Sequence, residues 1–386
     1  MHFSTIAVTV LSAAVVSAHG NHDLDREIAV REAMFQYTSR DLSHCAAKLK
    51  SRGLEARAIQ RRSDVAAELM KKRGIKSRDL ASVLATDHNS TELGYTLDTA
   101  ETTIFASNGS CVLTPEGESG PYYVAGEYVR TNLVDEMVGV PVHYDFQILD
   151  VETCEPVVGK YFEIFNCNST GVYSGTTMSG NGNTDDLSVL NEIFLRGLQP
   201  TDSDGVASFD TLFAGHYTGR ATHIHTILHM NATVRDNGTV YDLTAGHIGQ
   251  TFWDQYIRDQ VELLAPYNTN TQTVTSNADD RVFAVEAASS DPVFNYVMLG
   301  DSLQDGLLAW LTLGVNTTLS STISPAATYY ESGGVESTSN GESSGGDGVA
   351  PSGGVMSSGV MPSGSMPSGA VPSESAVPSS VNGSCS

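Results

Sequence analysis

The stretch 209–225 constrains this chain more than any other part of its sequence. Within nine residues it contains Tyr217, Arg220 and a His-x-His pair formed by His223 and His225. Side chains alternate across a β-strand, so both histidines would point to the same face. Two imidazoles on one face form half of a metal site, and a tyrosine phenolate is a hard anionic ligand that suits a ferric ion. A His-x-His pair alone is also compatible with two partly exposed strand histidines, but the tyrosine and the arginine favour a metal site.

The first residues are typical of a secretory signal. An apolar run over residues 3–16 leads into Val16-Ser17-Ala18, which predicts a signal peptide over residues 1–18 that is cleaved before His19. No second apolar stretch approaches the length that spans a membrane. Seven Asn-x-Ser/Thr sites fit passage through a glycosylating compartment; they begin at Asn89, Asn108, Asn168, Asn231, Asn237, Asn316 and Asn382. The sequence therefore predicts a secreted, extracellular glycoprotein without a membrane partner.

The five cysteines lack the Cys-x-x-Cys spacing of zinc and redox sites, which favours disulfide bonds. We expect Cys154 to pair with Cys167, because the two bracket what look like neighbouring strands. We expect Cys45 to pair with Cys111, which would leave Cys385 unpaired. These pairs are hypotheses, because connectivity does not follow from sequence.

The charge of the chain argues against a nucleic-acid partner. The formal net charge is -24, with 45 Asp and Glu against 21 Lys and Arg, and such an acidic protein repels a phosphate backbone. Few cations follow residue 80, so Arg220 stands out just before the histidine pair.

Residues 19–80 are predicted to form a short helical segment, with two or three amphipathic helices over 24–77. The basic runs Arg61-Arg62 and Lys71-Lys72-Arg73 would suit a processing protease, so the segment is a possible propeptide. The alternative is a helical arm that stays docked, which a Cys45–Cys111 disulfide bond would require. We favour retention.

Residues 105–320 change to short β-rich runs broken by Gly, Asn and Asp. The runs 142–149 and 161–165 are predicted strands, and Asp204-Gly205 and the sequence at 236–238 are turn signals. Many short strands without regular helical alternation predict a mainly β protein, an antiparallel β-sandwich or barrel.

The ends of this region are predicted to differ from its centre. Residues 250–262 and 301–312 are candidates for short helices at the edge of the domain. From residue 325 to 386 the composition turns to Ser, Gly, Pro and Val, which predicts a disordered tail because too little apolar surface is available for burial.

Further motifs accompany the histidine pair in a fixed order along the chain. They are Gly120-Pro-Tyr-Tyr123, Asn168-Ser-Thr-Gly-Val-Tyr-Ser-Gly175, Phe194-Leu-Arg-Gly197 and Gly249-Gln-Thr-Phe252. Over roughly residues 105–260 the ordered set resembles the intradiol ring-cleavage dioxygenases. The resemblance is strongest to the secreted fungal type, which is related to catechol 1,2-dioxygenase and protocatechuate 3,4-dioxygenase.

The resemblance implies a non-haem Fe(III) cofactor held by two tyrosinates and two histidines. The matching ligands are Tyr173, Tyr217, His223 and His225. Two phenolates stabilise Fe(III) over Fe(II), and a bound ion keeps both tyrosines deprotonated far below their usual pKa of about 10.

The resemblance also implies that a small aromatic diol and O2 are the substrates. The ring would be cleaved between the two hydroxyl-bearing carbons, giving a cis,cis-muconate-type diacid. Arg220 matches an arginine that stabilises negative charge on the substrate, Gln250 lines the pocket beside it, and Tyr217 takes up a substrate proton. Substrate-binding positions of the pocket wall match Gly120, Pro121 and Tyr122.

Several positions depart from the family pattern. Prolines are missing around Tyr217 and before His223, and no Trp precedes Tyr173, so the substrate itself does not carry over. The scarcity of cations favours uncharged diols or triols over carboxylated ones. His216 and His229 are expected to be structural, and a monomer is expected because the N-terminal helices do not match the dimerising domain of bacterial relatives.

Two other readings of the sequence remain open. One is a cupin-type or zinc hydrolase site, although cupins usually place a glutamate soon after His-x-His, and here no carboxylate follows until Asp236. The other is a non-catalytic secreted β-sandwich protein with a metal-binding or wall-associated role.

Overall fold

The computed structural model describes residues 24–36, 38–39, 41–75, 110–113, 120–177, 180–182, 186–288 and 290–337. All of them belong to the first of two units, residues 1–341. The predicted signal peptide and residues 338–386 of the predicted tail lie outside this described part. None of the helices within it combines the length and the apolar character needed to cross a membrane.

The described part of the chain is built mainly from short strands. In chain order the strands are β1 (Ser110–Val112), β2 (Val124–Ala125), β3 (Pro141–Asp150), β4 (Tyr161–Phe165), β5 (Arg196–Pro200), β6 (Val206–Leu212), β7 (His223–His229), β8 (Thr233–Val234), β9 (Val240–Tyr241), β10 (Thr244–Phe252), β11 (Asn295–Met298), β12 (Leu307–Val315), β13 (Ser321–Thr322), β14 (Ala327–Tyr330) and β15 (Gly333–Glu336). The α-helices are α1 (Leu24–Met34), α2 (Ala46–Ser51), α3 (Leu54–Lys72), α4 (Gln255–Glu262) and α5 (Arg281–Ala287).

The strands form two five-stranded sheets that pack as a sandwich. The first has the order β1-β12-β3-β6 with β11 beside β12, and the second has the order β13-β10-β7-β4-β5. A small sheet β15-β14-β2 and the hairpin β8-β9 lie outside them. The prediction of a mainly β sandwich is confirmed, and the sheets do not close into a barrel. The first sheet is mixed, because β12 runs parallel to both β1 and β3.

The core lies between the two sheets and is rich in aromatic rings. Alternation along β3 turns Tyr144, Phe146 and Ile148 inward, and all three are fully buried. The ring of Phe146 lies 5.0 Å from that of Phe162 in β4, which joins the two layers. This packing supports the predicted strands over 142–149 and 161–165.

Helix α3 covers the outer face of the first sheet. Leu69 and Met70 pack in one apolar cluster with Leu308 and Trp310 of β12, so β12 is buried on both faces. The predicted helix over 301–312 is therefore wrong: apart from a short 3₁₀ turn at Leu303–Asp305, it is a central strand.

Charged residues reinforce the docking of α3. Nε of Arg61 lies 2.6 Å from Oδ2 of Asp145, and Nε of Arg62 lies 3.2 Å from Oδ1 of the same carboxylate. Asp145 is 1% exposed and Arg62 is 2% exposed. The dibasic pair therefore lies in the contact between α3 and the outer face of β3.

Within the described residues a disulfide bond joins Cys45 to Cys154, so both predicted pairings are wrong. Cys45 packs in an apolar cluster with the end of β3, and Cys154 lies in the turn after β3 with a left-handed φ of 57°. Their Cα atoms are 5.4 Å apart, within disulfide range. Cys167 instead points into the core as a free thiol, and its Sγ donates to the Gly215 carbonyl at 3.3 Å.

The other predictions at the domain edge are partly right. Helix α4 lies within the predicted range 250–262, but the first residues of that range finish β10. Ordered structure continues past residue 325, because β14 pairs with β2 and with β15. The predicted start of the tail at residue 325 is too early.

Candidate metal centre

Strand β7 places both predicted histidine ligands on one face of the second sheet. β7 lies between β4 and β10, and every residue in it is buried. The rings of His223 and His225 have centroids 4.8 Å apart, and their Nε2 atoms are 3.1 Å apart. The alternation expected from the sequence therefore brings the two imidazoles together.

The neighbours of each histidine fix its ring. Nδ1 of His223 donates to the backbone carbonyl of Ala221 at 2.6 Å, which leaves Nε2 with its lone pair toward the site. His225 stacks on Phe165, the residue opposite it on β4, with centroids 4.4 Å apart and planes 3° from parallel.

A tight turn brings Tyr217 and Arg220 side by side before β7. The two residues form a β-bridge, and Gly219 between them has a φ of +88°, which favours glycine. The Tyr217 hydroxyl lies 3.2 Å from Nε2 of His223. The side chain of Tyr217 thus reaches the same point as the histidine pair.

Tyr173 enters from the loop after β4 and is held through its backbone. Its N–H donates to Oδ1 of Asn181 at 2.8 Å, and Nδ2 of Asn181 donates back to the Tyr173 carbonyl at 3.0 Å. The ring of Tyr173 lies 5.6 Å from that of Tyr217 and 5.9 Å from that of His225. The four predicted ligands therefore converge from two separate segments.

Arg196, from the Phe-Leu-Arg-Gly motif, supports this arrangement from behind. It is fully buried, its Nε donates to the Ser174 carbonyl at 3.0 Å, and its Nη2 donates to the Tyr122 carbonyl at 2.7 Å. Its guanidinium lies 4.8 Å from the ring centroid of Phe165. A single cation thus ties together the segments that carry Tyr122, Tyr173 and the stacking partner of His225.

Gln250 and Arg220 meet beside the histidines. Gln250 lies directly opposite His225 in the pairing of β7 with β10, so their side chains share a face. Nη2 of Arg220 donates to Oε1 of Gln250, and Nε donates to Oδ2 of Asp280 at 2.9 Å. Burial alone lowers the pKa of Arg220, but Tyr217 and Asp280 raise it above its usual value, so the guanidinium stays charged.

The predicted pocket wall lies against the first tyrosine. Tyr122 stacks on Tyr173 with centroids 4.3 Å apart and meets Tyr217 edge-on at 5.6 Å. Gly120 and Pro121 are half-buried next to it. The Gly-Pro-Tyr motif therefore packs around the tyrosines, as a pocket wall would.

Burial controls the protonation of both tyrosines. Removal from water raises the pKa of Tyr173 and of Tyr217 well above the usual value. Without a cation at the site, both side chains are neutral phenols. A bound metal ion reverses this balance because its charge stabilises the phenolates.

The donor set fits a ferric ion. Tyr173 and His225 are fully buried, and Tyr217 and His223 are each 2% exposed. The Nε2 atoms of the two histidines lie 3.1 Å apart, and the Tyr217 hydroxyl lies 3.2 Å from Nε2 of His223, so these donor atoms are close enough to share one ion. Two phenols with two imidazoles suit a hard trivalent ion.

No protein-family model and no curated protein matches this chain. Solved structures do match it. A crystal structure of a dioxygenase is 30% identical, and the match covers 54% of this chain and 96% of that one, with a TM-score of 0.42. An intradiol ring-cleavage dioxygenase from Tetranychus urticae is 29% identical over the same shares, with a TM-score of 0.43. The chain belongs to the intradiol ring-cleavage dioxygenases. The match at 30% identity carries this assignment, because it covers 96% of the length of that dioxygenase.

A bacterial structure also resembles this intradiol dioxygenase. It is the dioxygenase domain of a dioxygenase carbohydrate-binding protein fusion from Streptomyces sp. SirexAA-E. That domain is 21% identical, and the match covers 52% of this chain and 97% of that one, with a TM-score of 0.33.

Other histidines of this dioxygenase are engaged elsewhere, which agrees with their expected structural role. Nδ1 of His216 lies 2.8 Å from Glu262, and its Nε2 lies 3.0 Å from the Gln272 carbonyl. His229 lies 2.7 Å from Glu163. A cluster with metal-ligand spacing also occurs at His44, Cys45 and Cys154, but the disulfide bond occupies both of its sulfurs.

Three supporting residues escaped the sequence analysis. Asn181 and Asp280 belong to no motif in the sequence. Arg196 belongs to the Phe-Leu-Arg-Gly motif, but the motif does not indicate what this arginine contacts. Arg196 and Asp280 bind groups far away in the chain, whereas Asn181 binds the backbone of Tyr173, eight residues before it. For Arg196 one signal was available: an arginine followed by a glycine, in a part of the chain that has few cations, is a candidate for a buried structural role.

Proposed function

We propose that this dioxygenase uses Fe(III) to cleave a catechol-type ring between its two hydroxyl-bearing carbons, with O2 as co-substrate. Tyr173, Tyr217, His223 and His225 would hold the ion. The observation that carries the proposal is the convergence of two buried phenols and two buried imidazoles, with Tyr217 3.2 Å from His223. When bound, the ion would draw electron density from the chelated diol so that a ring carbon reacts with O2 and a cis,cis-muconate-type diacid results.

Tyr217 would handle one substrate proton. In this proposal its phenolate oxygen would accept a hydroxyl proton from the incoming diol. Burial raises the pKa of this phenol, so its phenolate is a strong base. Tyr173, stacked on Tyr122 and held by Asn181, would stay in place.

Arg220 would supply a fixed positive charge. The guanidinium is held by Gln250 and Asp280, so its position is set before the substrate enters. A preorganised cation in a buried site stabilises negative charge that develops on the substrate oxygens. Gly120, Pro121 and Tyr122 would form the wall against which the ring lies.

The charge balance favours an uncharged diol or triol. Nε of Arg220 lies 2.9 Å from Oδ2 of Asp280, and Arg196 donates to the backbone carbonyls of Ser174 and Tyr122. Arg220 therefore already has an acidic partner and Arg196 is engaged with main-chain acceptors, so neither is available to a substrate carboxylate. We expect catechol to be cleaved with a higher kcat/KM than 3,4-dihydroxybenzoate. The opposite preference would contradict this part of the proposal.

The proposal also covers where the protein is located and its oligomeric state. A predicted signal peptide, seven sequons and the Cys45–Cys154 bond support secretion as a glycoprotein. The acidic charge supports a protein that binds neither nucleic acid nor membranes, and we propose a monomer. Fractionation of the expressing culture with sizing of the purified protein tests both points.

Colour and oxygen uptake test the reaction together. The iron-supplied protein is expected to be red-brown from tyrosinate-to-Fe(III) charge transfer and to take up O2 with catechol. Tyr217→Phe and His223→Ala are expected to abolish uptake, whereas Tyr256→Phe, at a tyrosine 57% exposed on α4, leaves it unchanged. Uptake that survives His223→Ala would overturn the site. A colourless protein with another metal would indicate a hydrolase, and a metal-free inactive one a non-catalytic role.

A further inference from the structure

Asp280 joins helix α5 to the metal centre. It is 1% exposed and serves as the N-cap of α5, where Oδ1 accepts from the N–H groups of Val282 at 2.8 Å and Phe283 at 2.9 Å. Its other oxygen, Oδ2, accepts from Nε of Arg220 at 2.9 Å and from the N–H of Ala221 at 2.6 Å. All four partners are donors, so the site is built for a carboxylate.

The two oxygens act on different parts of the protein. Oδ1 fixes Asp280 to a helix, and Oδ2 fixes the arginine and the peptide that follows it. The carbonyl of Ala221 in turn accepts from Nδ1 of His223 at 2.6 Å. One carboxylate therefore orients the Arg220 guanidinium directly and a histidine ligand through one residue of backbone.

We propose that Asp280 is the positioning residue of this site and that its negative charge holds Arg220 in the orientation that the reaction uses. Asn at this position is not equivalent, because an amide nitrogen donates where the carboxylate oxygen accepts. Asn can satisfy the helix cap or the Arg220–Ala221 side, but not both. The cap then keeps α5 in place, while the Arg220 guanidinium loses its carboxylate partner and can shift relative to Gln250.

The test compares Asp280→Asn with Asp254→Asn in the iron-loaded, full-length protein. Asp254 is a matched control, because it caps α4 by accepting from the N–H of Ile257 at 3.0 Å. We expect Asp280→Asn to lower kcat about tenfold or more with a smaller change in KM, since small misplacements of catalytic groups have such effects. The resting charge-transfer band is expected to remain, and Asp254→Asn is expected to keep the wild-type kcat.

A double-mutant cycle separates positioning from general support of the fold. In an Arg220→Gln background, Asp280→Asn is expected to change kcat by less than about twofold, because the group that it orients is gone. Additive losses would overturn the proposal. The proposal would also be overturned if the fall in kcat of Asp280→Asn only matched the fall in its iron content.

The inference rests on the proposed dioxygenase reaction, and the two fail differently. A wild-type protein that takes up no O2 with any diol refutes the reaction itself. An active wild type whose Asp280→Asn variant is equally active refutes only the role of Asp280.

Discussion

Phe165 lies face to face with His225, with ring centroids 4.4 Å apart and planes 3° from parallel. The Arg196 guanidinium lies 4.8 Å from the ring centroid of the same phenylalanine. The ring of Phe165, on the neighbouring strand β4, therefore holds the imidazole of His225, one of the proposed ligands, at a fixed angle. Groups that orient metal ligands without touching the metal contribute to affinity as well as to geometry.

Phe165→Leu is expected to weaken iron binding by about tenfold, because the leucine side chain cannot hold the imidazole plane. Phe162→Leu is the control, since Phe162 is equally buried on the same strand but faces Phe146 in the core. Chelator competition followed by the visible band measures the affinity. Equal losses of iron in both variants would show that core packing alone is responsible.

Removal of the disulfide bond is expected to destabilise the protein. The bond closes a loop with a sequence separation of 109 residues. A crosslink of this length restricts the unfolded chain, and the double variant Cys45→Ser/Cys154→Ser is expected to lose about 2–4 kcal/mol of unfolding free energy. Denaturant unfolding measures the change, with Cys167→Ala as a thiol control. An unchanged midpoint would contradict the prediction.

The dibasic pair is expected to resist trypsin in the folded protein, because Arg62 is 2% exposed and both arginines bind Asp145. Asp145→Asn leaves buried cations without their carboxylate, which typically costs about 3–5 kcal/mol, and cleavage at this pair is then expected. Asp204→Asn removes the partner of the exposed Arg57 and is expected to change little. Rapid cleavage of the wild type at Arg61-Arg62 would show that α3 is not docked.

The free energy of unfolding is expected to fall as pH rises from the usual pKa of a glutamate toward that of Glu127 in the folded protein. Burial raises the pKa of this carboxyl to about 8, although Arg196 lies nearby. The folded state therefore keeps a proton that the unfolded state releases, so the stabilisation is complete below the usual pKa and is lost as pH rises toward 8. Glu127→Gln is expected to remove this dependence. Melting temperatures of both proteins between about pH 5 and pH 9 provide the test; parallel curves would contradict it.

The convergence of the candidate ligands was largely predictable because most of the information for it is local. Tyr217 and Arg220 lie in one turn, and His223 and His225 alternate on the strand that follows. Strand periodicity alone places the two histidines together. Tyr173 was placed by family resemblance, because nothing local indicates that its loop folds back onto β7.

The failures concern contacts that are distant in sequence. Strand β12 has no alternation because both of its faces are buried, so periodicity cannot separate it from a buried helix. The pairing of Cys45 with Cys154 depends on how the helical segment packs against the end of β3, which no local pattern indicates. Asp280 lies 60 residues from Arg220, and no local pattern marks the pairing.

Tyr173 reaches the centre from the loop after β4, whereas Tyr217 and both histidines come from the stretch 217–225. An ion bound by all four side chains would fasten these two segments to each other, much as a crosslink does. The free energy of ion binding would then stabilise the folded state, in addition to the ion's part in the reaction. Cells short of iron would accordingly accumulate less of the protein, and not merely an inactive form of it.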